Sequence, residues 1–593
     1  MAKANQAGWR KMRAAICDWL ARIRSDVRGN VIPIVGAAII PLICLIGSGI
    51  DLSRAYAAQS RLQVACDAAS LAGRRAMSSG AVDDTVRAEV TKFFNFNFPQ
   101  GSFGTAPFEP VTSDGANSAV VVNASTTIPT SIMKIFGFAT LPLTAHCNAR
   151  QDFVNTDIVL VLDTTGSMAQ RISGDTTGPT KIESLRSAVL ALYDELAPVQ
   201  TQLEAAGLRL RYGIVPYSSN VNVGKVVKAI NAGYIASDSW DYQSRHLIDA
   251  ETSSVSTDTR SDLSETQCSN LQHDRNPSTG YPATAVSTSY SSRRGRCTIT
   301  TTTYAWGPTW IYEKVTQNIS GFVNSTSSSP VATPTRDTGS TETSYWKGCI
   351  EERQTVSTIT SSSGYVIPTN AYDLNIDMVP TGDKATKWKP FWPEISYSRG
   401  NSSSSTSGTS VYGRGEAYVA CPTEARRLTV WTHDELNTYL NSLQAVGGTY
   451  HDIGMIWGAR LLSRDGVFAA DNPENYKSMP VSRFLIFLTD GQMAPNADTY
   501  TAYGVEQNDQ RVTGSYSVPQ QKDRHIQRFK MVCNAAKTKN ISIWVIAFDS
   551  TLDSSLEECA SSTSQASLSS NQTQLIEKFV EIGKNIGSLR LTQ

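Results

Sequence analysis

The stretch IVLVLDTTGS, residues 158–167, decides the fold of the larger part of this chain. Its first half is an uncharged apolar run, with the length and composition of a strand buried on both faces of a parallel sheet. Its second half puts polar groups at the carboxyl end of that strand, the edge where open α/β sheets bind ligands. The side-chain oxygens of Asp163, Thr165 and Ser167 are hard donors, which Mg²⁺, Mn²⁺ and Ca²⁺ prefer.

Helix and strand patterns alternate on both sides of this stretch. Apolar residues spaced by three and four predict a helix from Ile182 to Leu196, and residues 208–215 are a second strand candidate. The alternation lapses over about 220–430, a serine- and threonine-rich region that includes a run expected to be flexible at 402–410. It then resumes from residue 434. We therefore predict a doubly wound, Rossmann-type α/β domain over 151–593, with an insertion at about 220–430.

The N-terminal residues predict a membrane anchor. Residues 1–28 carry seven lysine or arginine side chains against two aspartates, and no charged group follows from Val31 to Ile50. About 20 such residues span a bilayer, and a basic flank keeps the preceding tail in the cytoplasm. We predict a cytoplasmic tail at 1–28, a transmembrane helix at 29–51 and export of the rest. A cleaved secretory signal is the competing interpretation, disfavoured by the length of the span and by the polar residues directly after it.

Residues 52–150 predict a helix that continues from the membrane into a small α+β domain. Small side chains recur along this helix at alternating steps of three and four, which permits close packing of another element: Ala55, Ala58, Leu62, Ala65, Ala69, Ala72 and Ala76. Two interpretations of this seam stay open, packing against the helix's own domain and packing against a partner helix, as in pilin-like subunits. A second helix at 82–98 and β-rich segments at 118–126 and 139–149 complete the predicted domain.

Composition and motifs argue against several functional classes. Lysine plus arginine equals aspartate plus glutamate at 53 each, so the chain lacks the basic excess that wraps nucleic acid. The six histidines show no HExxH or paired zinc spacing, and no serine lies in a GxSxG elbow. A phosphoaspartyl phosphatase would need an aspartate where Thr165 stands. We therefore predict no enzymatic activity and no small-molecule substrate.

Three loops at the ends of predicted strands supply one set of oxygen donors. Asp163, Thr165 and Ser167 come first, Thr449 follows two glycines, and Asp490 precedes a glycine. This order resembles the von Willebrand factor A domain and its metal-ion-dependent adhesion site. The first motif of that family, Asp-x-Ser-x-Ser, is matched here with Thr165 at the middle hydroxyl.

The resemblance implies a role for each of these residues. Ser167, Thr165 and Thr449 would be the hydroxyl ligands, and Asp163 and Asp490 would hold the metal directly or through water. An acidic group of a partner protein would complete the octahedron. The implied cofactor is a divalent cation, Mg²⁺ in the first place, with Mn²⁺ or Ca²⁺ as alternatives.

The N-terminal region carries a second resemblance. The residues Arg28-Gly29-Asn30 before the span, Gly49-Ile50-Asp51 at its exit and the string ACDAASLA at 65–72 are similar to the start of TadG-type tight-adherence pilus assembly proteins. In that family a comparable anchor precedes a von Willebrand A-like domain with a long insertion. The resemblance implies a single-pass protein of the bacterial inner membrane, with its bulk periplasmic or surface-exposed.

Eight of the ten cysteines follow the predicted span, and an even number in an oxidising compartment favours disulfides: Cys66, Cys147, Cys268, Cys297, Cys349, Cys421, Cys533 and Cys559. Spacing leaves the connectivity open, since the four cysteines of the insertion alone allow three pairings. The family resemblance around 346–349 and 420–422 implies Cys349 with Cys421, and Cys533 with Cys559. Cys66, on the alanine seam, is equally well explained as a small packing residue.

The predicted function is metal-dependent protein binding. The chain would be a membrane-anchored accessory protein that helps to assemble or anchor tight-adherence pili, with pilus or assembly-platform proteins as its partners. A surface adhesin that uses the same metal site is the alternative. An enzyme is the third and least favoured interpretation.

Overall fold

The computed structural model describes residues 31–77, 82–115, 119–149, 154–335, 339–397, 420–515 and 518–587. Within these ranges the chain divides into two compact units, unit 1 up to residue 149 and unit 2 from residue 154. The predicted basic tail at 1–28 and the serine-rich run at 402–410 lie outside the described residues. The prediction of a mixed α/β protein with a long apolar N-terminal helix is confirmed.

Unit 1 is built on one long helix. Its elements are helix α1, Val31–Ala76, helix α2, Asp84–Asn97, and the antiparallel strands β1, Val111–Gly115, β2, Ala119–Pro129, and β3, Thr140–Ala149. Of the helices described, α1 is long and apolar enough to cross a membrane by length and composition. Its apolar side chains near the N-terminal end are exposed rather than packed, as shown by Leu45 at 74% exposure.

The second half of α1 is the core of unit 1. Ala58, Leu62, Ala65 and Ala69 are fully buried in a cluster with side chains of α2, β2 and β3. The small side chains of the seam let these elements approach the helix closely. Of the two interpretations of the seam, the structure therefore shows packing against the helix's own domain.

The carboxylate of Asp51 lies where the exposed first part of α1 meets the packed second part. Asp51 accepts hydrogen bonds from the backbone N–H groups of Ser131, Ile132 and Met133, each at 2.8 Å. Asp51 therefore ties α1 to the connection between β2 and β3.

Unit 2 alternates strands and helices around a long insertion. In chain order its elements are β4, Asn155–Asp163; α3, Lys181–Ala205; β5, Leu210–Tyr217; α4, Gly224–Ile230; β6, Ser239–Arg260; α5, Glu265–Ser269; β7, Ala283–Ser291; β8, Arg296–Asn318; β9, Arg426–Thr429; α6, His433–Asn441; α7, His451–Leu462; β10, Met479–Thr489; α8, Val518–Thr538; β11, Ile541–Phe548; α9, Ser554–Cys559; β12, Ala566–Ser569; and α10, Gln572–Gly587.

Shorter elements lie between these. The short helices are Ser320–Val323 and Glu506–Asp509. The short strands are Val331–Thr333, Glu342–Ser344, Ile350–Glu351, Lys389–Pro390, Asn475–Tyr476, Tyr500–Thr501 and Gly504–Val505.

The central sheet of unit 2 has seven strands. Five of them are parallel in the order β5-β4-β10-β11-β12, β9 adds an antiparallel edge beside β5, and Asn475–Tyr476 pairs with β10. The chain moves outward from β4 to β5 and later returns to β10 on the other side of β4. The strand order therefore reverses between β4 and β10, and such a point opens a crevice at the carboxyl ends of the strands.

Helices cover both faces of this sheet. Ile158, Leu160 and Leu162 of β4 pack in a cluster with side chains of α3, α6 and α10, whereas Val159 and Val161 pack with α7 and α8. All nine residues of β4 are buried, as predicted for a strand between two helical layers. Burial on both faces fixes the position of Asp163 at the end of this strand.

The insertion contains a long antiparallel arm, formed by β6, β7 and β8. Strands β6, with 22 residues, and β8, with 23, pair from Ser239 with Asn318 to Arg260 with Cys297. Strand β7 extends the sheet beside the first part of β8. Residues 242–245 at the base of β6 are buried, whereas every residue from 251 to 260 is exposed. This part of the insertion is therefore regular β structure.

Buried charges anchor the insertion to the helices of unit 2. The anchor cluster consists of Glu352 and Asp373 from the insertion, Arg460 of α7 and Arg528 of α8. Arg460 Nη1 lies 2.9 Å from Glu352 Oε1, and the Trp457 indole donates to the same oxygen at 2.6 Å. Arg528 pairs with Asp373. Each charged group of the cluster therefore has a partner of opposite charge.

The structure contains four disulfides. They join Cys349 with Cys421 and Cys533 with Cys559, the two pairings that the resemblance implied, and also Cys268 with Cys297 and Cys66 with Cys147. Cys66 is therefore bonded and does not serve only as a small packing residue. In the part of the chain that the structure describes, Cys44 is free.

Candidate metal centre

The predicted ligands meet at the carboxyl edge of the central sheet. Asp163 is the last residue of β4, Asp490 directly follows β10, and the parallel register pairs Leu162 with Leu488. Asp163 and Asp490 therefore leave neighbouring strands at the same edge, where the strand order reverses. We call the predicted set, Asp163, Thr165, Ser167, Thr449 and Asp490, the rim site.

A chain of short contacts joins four members of the rim site. The backbone N–H of Thr165 donates to Asp163 Oδ1 at 2.8 Å. The Thr165 Oγ1 and Ser167 Oγ atoms are 3.0 Å apart, and the Ser167 hydroxyl donates to Asp490 Oδ1 at 2.7 Å. Oxygen atoms from two separate loops therefore lie within hydrogen-bonding distance of one another.

Thr449 reaches the rim site on a third loop. The N–H of Gly166 donates to the Gly447 carbonyl at 2.9 Å, and the N–H of Ala494 donates to the Thr449 carbonyl at 3.0 Å. Thr449 Oγ1 would lie 3.8 Å from a Cβ atom placed on Gly491, so this hydroxyl faces the Asp490 loop. Gly447 has φ +87°, and a Cβ there would meet the Ala420 side chain at 2.4 Å, so this bend requires glycine.

Groups behind the rim site hold the second oxygen of Asp163. The hydroxyls of Thr489 and Tyr217 donate to Asp163 Oδ2 at 2.8 and 3.3 Å. Thr489 Oγ1 also lies 2.9 Å from His451 Nε2. Burial lowers the pKa of His451 to about 4, so its ring is neutral at pH 7 and can donate its N–H to Thr489. His451 therefore positions the carboxylate through Thr489.

Negative charge is concentrated at the rim site. Burial, reinforced by the charge of Asp490, raises the pKa of Asp163 to about 7, although hydrogen bonds from Thr165 and Thr489 work in the opposite direction. Each bond would lower the pKa, yet the carboxylate still holds its proton more tightly than a free aspartate does. Burial and the neighbouring carboxylate therefore oppose the ionisation of Asp163.

Two further charged residues, which the sequence did not single out as site residues, complete this edge. Lys181 Nζ lies 3.3 Å from Asp490 Oδ2 and 3.0 Å from Asp549 Oδ2. Burial disfavours the charged ammonium group, but the two carboxylates outweigh that effect and raise the pKa of Lys181. Asp549 directly follows the apolar strand β11, a position that could have pointed to it. Asp490 and Asp549 therefore share one ammonium. With Asp163 counted in its ionised form, the three carboxylates and the ammonium carry two formal negative charges.

The residues fit a divalent cation. Among the residues the structure describes, no group of three or more histidine, cysteine, aspartate or glutamate side chains could hold a metal ion. The rim site offers two carboxylates and three hydroxyls, the hard donors that Mg²⁺, Mn²⁺ and Ca²⁺ prefer. A charge of 2+ would also balance the two formal negative charges counted above.

Three solved structures are weakly similar to the chain. The pilus adhesin SpaC from Lactobacillus rhamnosus GG is 10% identical with a TM-score of 0.28, and the match covers 82% of this chain and 36% of SpaC. A point mutant of the PilB minor pilin from Streptococcus sanguinis is 10% identical with a TM-score of 0.28, covering 80% and 76%. Proximal thread matrix protein 1 from the mussel byssus, with a zinc-occupied MIDAS motif, is 11% identical with a TM-score of 0.17, covering 75% and 100%.

These likenesses are too weak to carry an argument about function, and the chain spans about a third of the length of the SpaC structure. No curated protein sequence matches the chain. A family model does match its N-terminal region. Residues 29–92, which comprise helix α1 and most of α2, match the model of the Tad family, described as Flp pilus-assembly TadE/G-like.

Proposed function

We propose that the chain is a membrane-anchored accessory protein for the assembly or anchoring of tight-adherence pili, and that it binds a partner protein through a divalent cation at the rim site. The TadE/G-like match at 29–92 supports the association with pili. The observation that carries the metal-dependent mechanism is the convergence of carboxylate and hydroxyl oxygens around uncompensated negative charge.

The long helix supports the anchoring role. The apolar side chains between Ile34 and Ile50 are exposed, which suits a helix surrounded by lipid better than a helix in a protein core. With the basic residues before the span, this favours a single-pass protein of the inner membrane whose N-terminus is cytoplasmic and whose bulk is periplasmic or surface-exposed. A topology reporter fused after Arg150 tests this, and a cytoplasmic signal there would contradict it.

The sheet order supports a von Willebrand A-like domain. A parallel sheet with helices on both faces, and a site at the point where the strand order reverses, is the arrangement that the resemblance implies. The departure at Thr165 keeps the hydroxyl oxygen of the usual serine, and that oxygen lies within 3.0 Å of Ser167 Oγ.

Each residue of the rim site has a role in this proposal. Ser167, Thr165 and Thr449 would supply hydroxyl oxygens, and Asp163 and Asp490 would supply the charge that neutralises the cation. Thr489 and Tyr217 hold Asp163 Oδ2 by hydrogen bonds and so fix the orientation of its carboxylate. The bound cation would offer an open coordination position to an acidic side chain of the partner protein.

Cation binding to the full chain in detergent micelles tests the metal-dependent mechanism. We expect Mg²⁺ or Mn²⁺ to bind with one high-affinity site and, at 100 times its dissociation constant, to add about 2.7 kcal/mol to the free energy of unfolding. Replacing both aspartates, Asp163→Ala with Asp490→Ala, should abolish this effect. Ser167→Ala should weaken binding by about tenfold or more.

Ser187→Ala is the matched control, because the Ser187 hydroxyl donates to the Glu183 carbonyl on helix α3 and accepts from the Gln572 amide, neither of which belongs to the rim site. It should leave cation binding unchanged. Calorimetric titration and thermal melting measure both quantities. Equal melting temperatures of the unmodified protein with and without the cation would overturn the metal-dependent mechanism.

The association with pili is tested separately in cells. A deletion strain complemented with Asp490→Asn should carry fewer pili than one complemented with the unmodified gene, at equal amounts of protein in the membrane. Pili are counted by electron microscopy and the protein is quantified by immunoblot. Normal piliation of the deletion strain itself would contradict a role in pilus assembly or anchoring.

A further inference from the structure

Lys181 occupies a position that its local structure disfavours. It is the first residue of helix α3, directly after the N-cap Thr180, which forms a reciprocal capping box with Glu183. The N-terminus of a helix carries partial positive charge, so a lysine there is repelled by the helix dipole. The side chain is also 8% exposed, so its ammonium group has lost most of its contact with water. Violations of such local rules concentrate at functional sites.

Two carboxylates compensate the Lys181 ammonium. The Asp490 carboxylate is divided between two functions, because Oδ1 accepts from Ser167 at 2.7 Å while Oδ2 lies 3.3 Å from Lys181 Nζ. Asp549 contributes from the other side at 3.0 Å. The ammonium is therefore joined to the rim site through one of the proposed metal ligands.

Asp549 is itself held firmly in place. Its Oδ2 atom accepts from the backbone N–H of Ser173 at 2.9 Å and from the Ser173 hydroxyl at 3.0 Å. Its backbone has φ +48°, a left-handed conformation that few residues other than glycine adopt. Strain of this kind persists where the surrounding structure enforces it, often at ligand sites. The loop after β11 therefore presents a fixed carboxylate to Lys181.

We propose that Lys181 sets the cation affinity of the rim site by acting as its internal counter-ion. This inference rests on the proposed metal site. Without a divalent cation, the ammonium neutralises part of the charge of Asp490 and Asp549 and keeps the edge of the sheet folded. When a cation binds, the ammonium repels it and competes for the Asp490 carboxylate. The site is therefore tuned to weak, reversible cation binding, so that a partner's carboxylate adds the interactions needed for a stable complex.

The test measures Mn²⁺ binding to the full chain in micelles, by electron paramagnetic resonance, for three variants. Lys181→Met keeps the length of the side chain without its charge and should bind Mn²⁺ at least tenfold more tightly, while its melting temperature without metal falls. Lys181→Arg keeps the charge and should bind Mn²⁺ about as the unmodified protein does. A lysine with a merely structural role would show weaker or unchanged binding in Lys181→Met.

The matched control is Lys539→Met. Lys539 also lies between two carboxylates, Asp377 and Asp465, each at 2.7 Å, but neither is a residue of the rim site. It should lower stability without changing Mn²⁺ affinity. An equal gain in affinity in Lys539→Met would overturn the proposal, because it would then reflect the net charge of the protein.

Asp549→Asn provides a second route if Lys181→Met does not fold. It removes one carboxylate and leaves the ammonium to Asp490 alone, so Mn²⁺ should bind several-fold more weakly. Unchanged affinity in the folded variants would overturn the role of Lys181 and leave the metal site standing. Absence of Mn²⁺ binding in the unmodified protein and in every variant would overturn the metal site and the role of Lys181 together.

Discussion

The rim site and the anchor cluster both bury carboxylates in unit 2, but they balance the charge differently. In the anchor cluster Glu352 faces Arg460 and Asp373 faces Arg528, and each oxygen of Glu352 also accepts from an indole N–H. In the rim site Asp490 shares one ammonium with Asp549, whereas Asp163 accepts from the Thr165 N–H and from hydroxyls.

The difference separates a structural role from a ligand-binding role. Glu352, with its own cation and an indole donor on each oxygen, is satisfied without any ligand, and its pairing with Arg460 holds the insertion in place. Burial and the charge of Asp490 oppose ionisation of Asp163, and the neighbouring hydroxyls can turn their lone pairs outward, so in the proposed function a cation would satisfy this pair. The following predictions test this contrast, from the largest expected effect to the smallest.

Glu352→Gln should cause the largest loss of stability. Although burial opposes ionisation, Arg460 and the other donors hold the pKa of Glu352 below its ordinary value, so the carboxylate is charged in the native protein. Its removal leaves Arg460 buried without a counter-charge and should lower the free energy of unfolding by about 3–5 kcal/mol. Denaturant unfolding of the full chain in micelles measures this.

Glu474→Gln is the control for that experiment, because Glu474 pairs with Arg464 and its side chain is 76% exposed. If both variants lost the same small amount, about 0.5 kcal/mol, the anchor cluster would be no stronger than a surface pair.

Asp163→Asn should raise, rather than lower, the free energy of unfolding of the metal-free protein. The pKa of Asp163 is raised to about 7, so at pH 8 the metal-free protein holds an ionised carboxylate that burial and Asp490 disfavour. The neutral amide should therefore add about 1 kcal/mol to the free energy of unfolding without metal, while the stabilisation by Mg²⁺ disappears. Unfolding curves in EDTA and in Mg²⁺ measure both effects. If Asp163→Asn were less stable than the unmodified protein in EDTA, the proposed difference between the rim site and the anchor cluster would be contradicted.

Asp51 in unit 1 shows a third way to satisfy a carboxylate, by backbone N–H donors alone. Asp51→Ala should leave these three N–H groups without their acceptor, so the connection between β2 and β3 should open more readily.

Hydrogen exchange of the Ser131, Ile132 and Met133 amides measures this effect as protection factors. Asp51→Ala should lower the protection of all three amides relative to the unmodified protein. Equal protection in the two proteins would show that the carboxylate contributes nothing there.

Arg427→Gln should have the smallest effect. The Arg427 guanidinium pairs with Asp471 on the surface, 2.8 Å from Nε to Oδ2, and its side chain is 42% exposed. Solvent screens such a pair, so the free energy of unfolding should fall by about 0.5 kcal/mol or less. A loss of several kcal/mol in denaturant unfolding would mean that exposure does not separate weak from strong pairs in this protein.

The sequence predicts those features that local patterns determine. The apolar run before Asp163 and the run before Asp490 identify two buried parallel strands, and parallel strands of one sheet end at the same edge. That reasoning brings Asp163, Ser167 and Asp490 together, and the structure places them in a continuous chain of contacts. Metal binding itself stays a prediction.

Other features depend on contacts between distant residues. The pairing of Lys181 with Asp549 joins residues that no local pattern connects, although a lysine at the start of a helix is a recognisable anomaly. The length and regularity of the arm do not follow from the sequence, because its strands are rich in serine and threonine and carry little apolar alternation. Its pairing of Ser239 with Asn318 is likewise set by the register of two segments far apart in the chain.

The arm of unit 2 extends farther than a disordered segment of the same polar composition would. A strand advances ~3.3 Å per residue, so the 22 residues of β6 extend over about 70 Å. A flexible chain of the same length would have a mean end-to-end distance of about 26 Å. Backbone pairing along the whole arm therefore makes this polar segment stiff. The disulfide between Cys268 and Cys297 closes its end. Its exposed end is held at a distance that a disordered loop would reach only rarely.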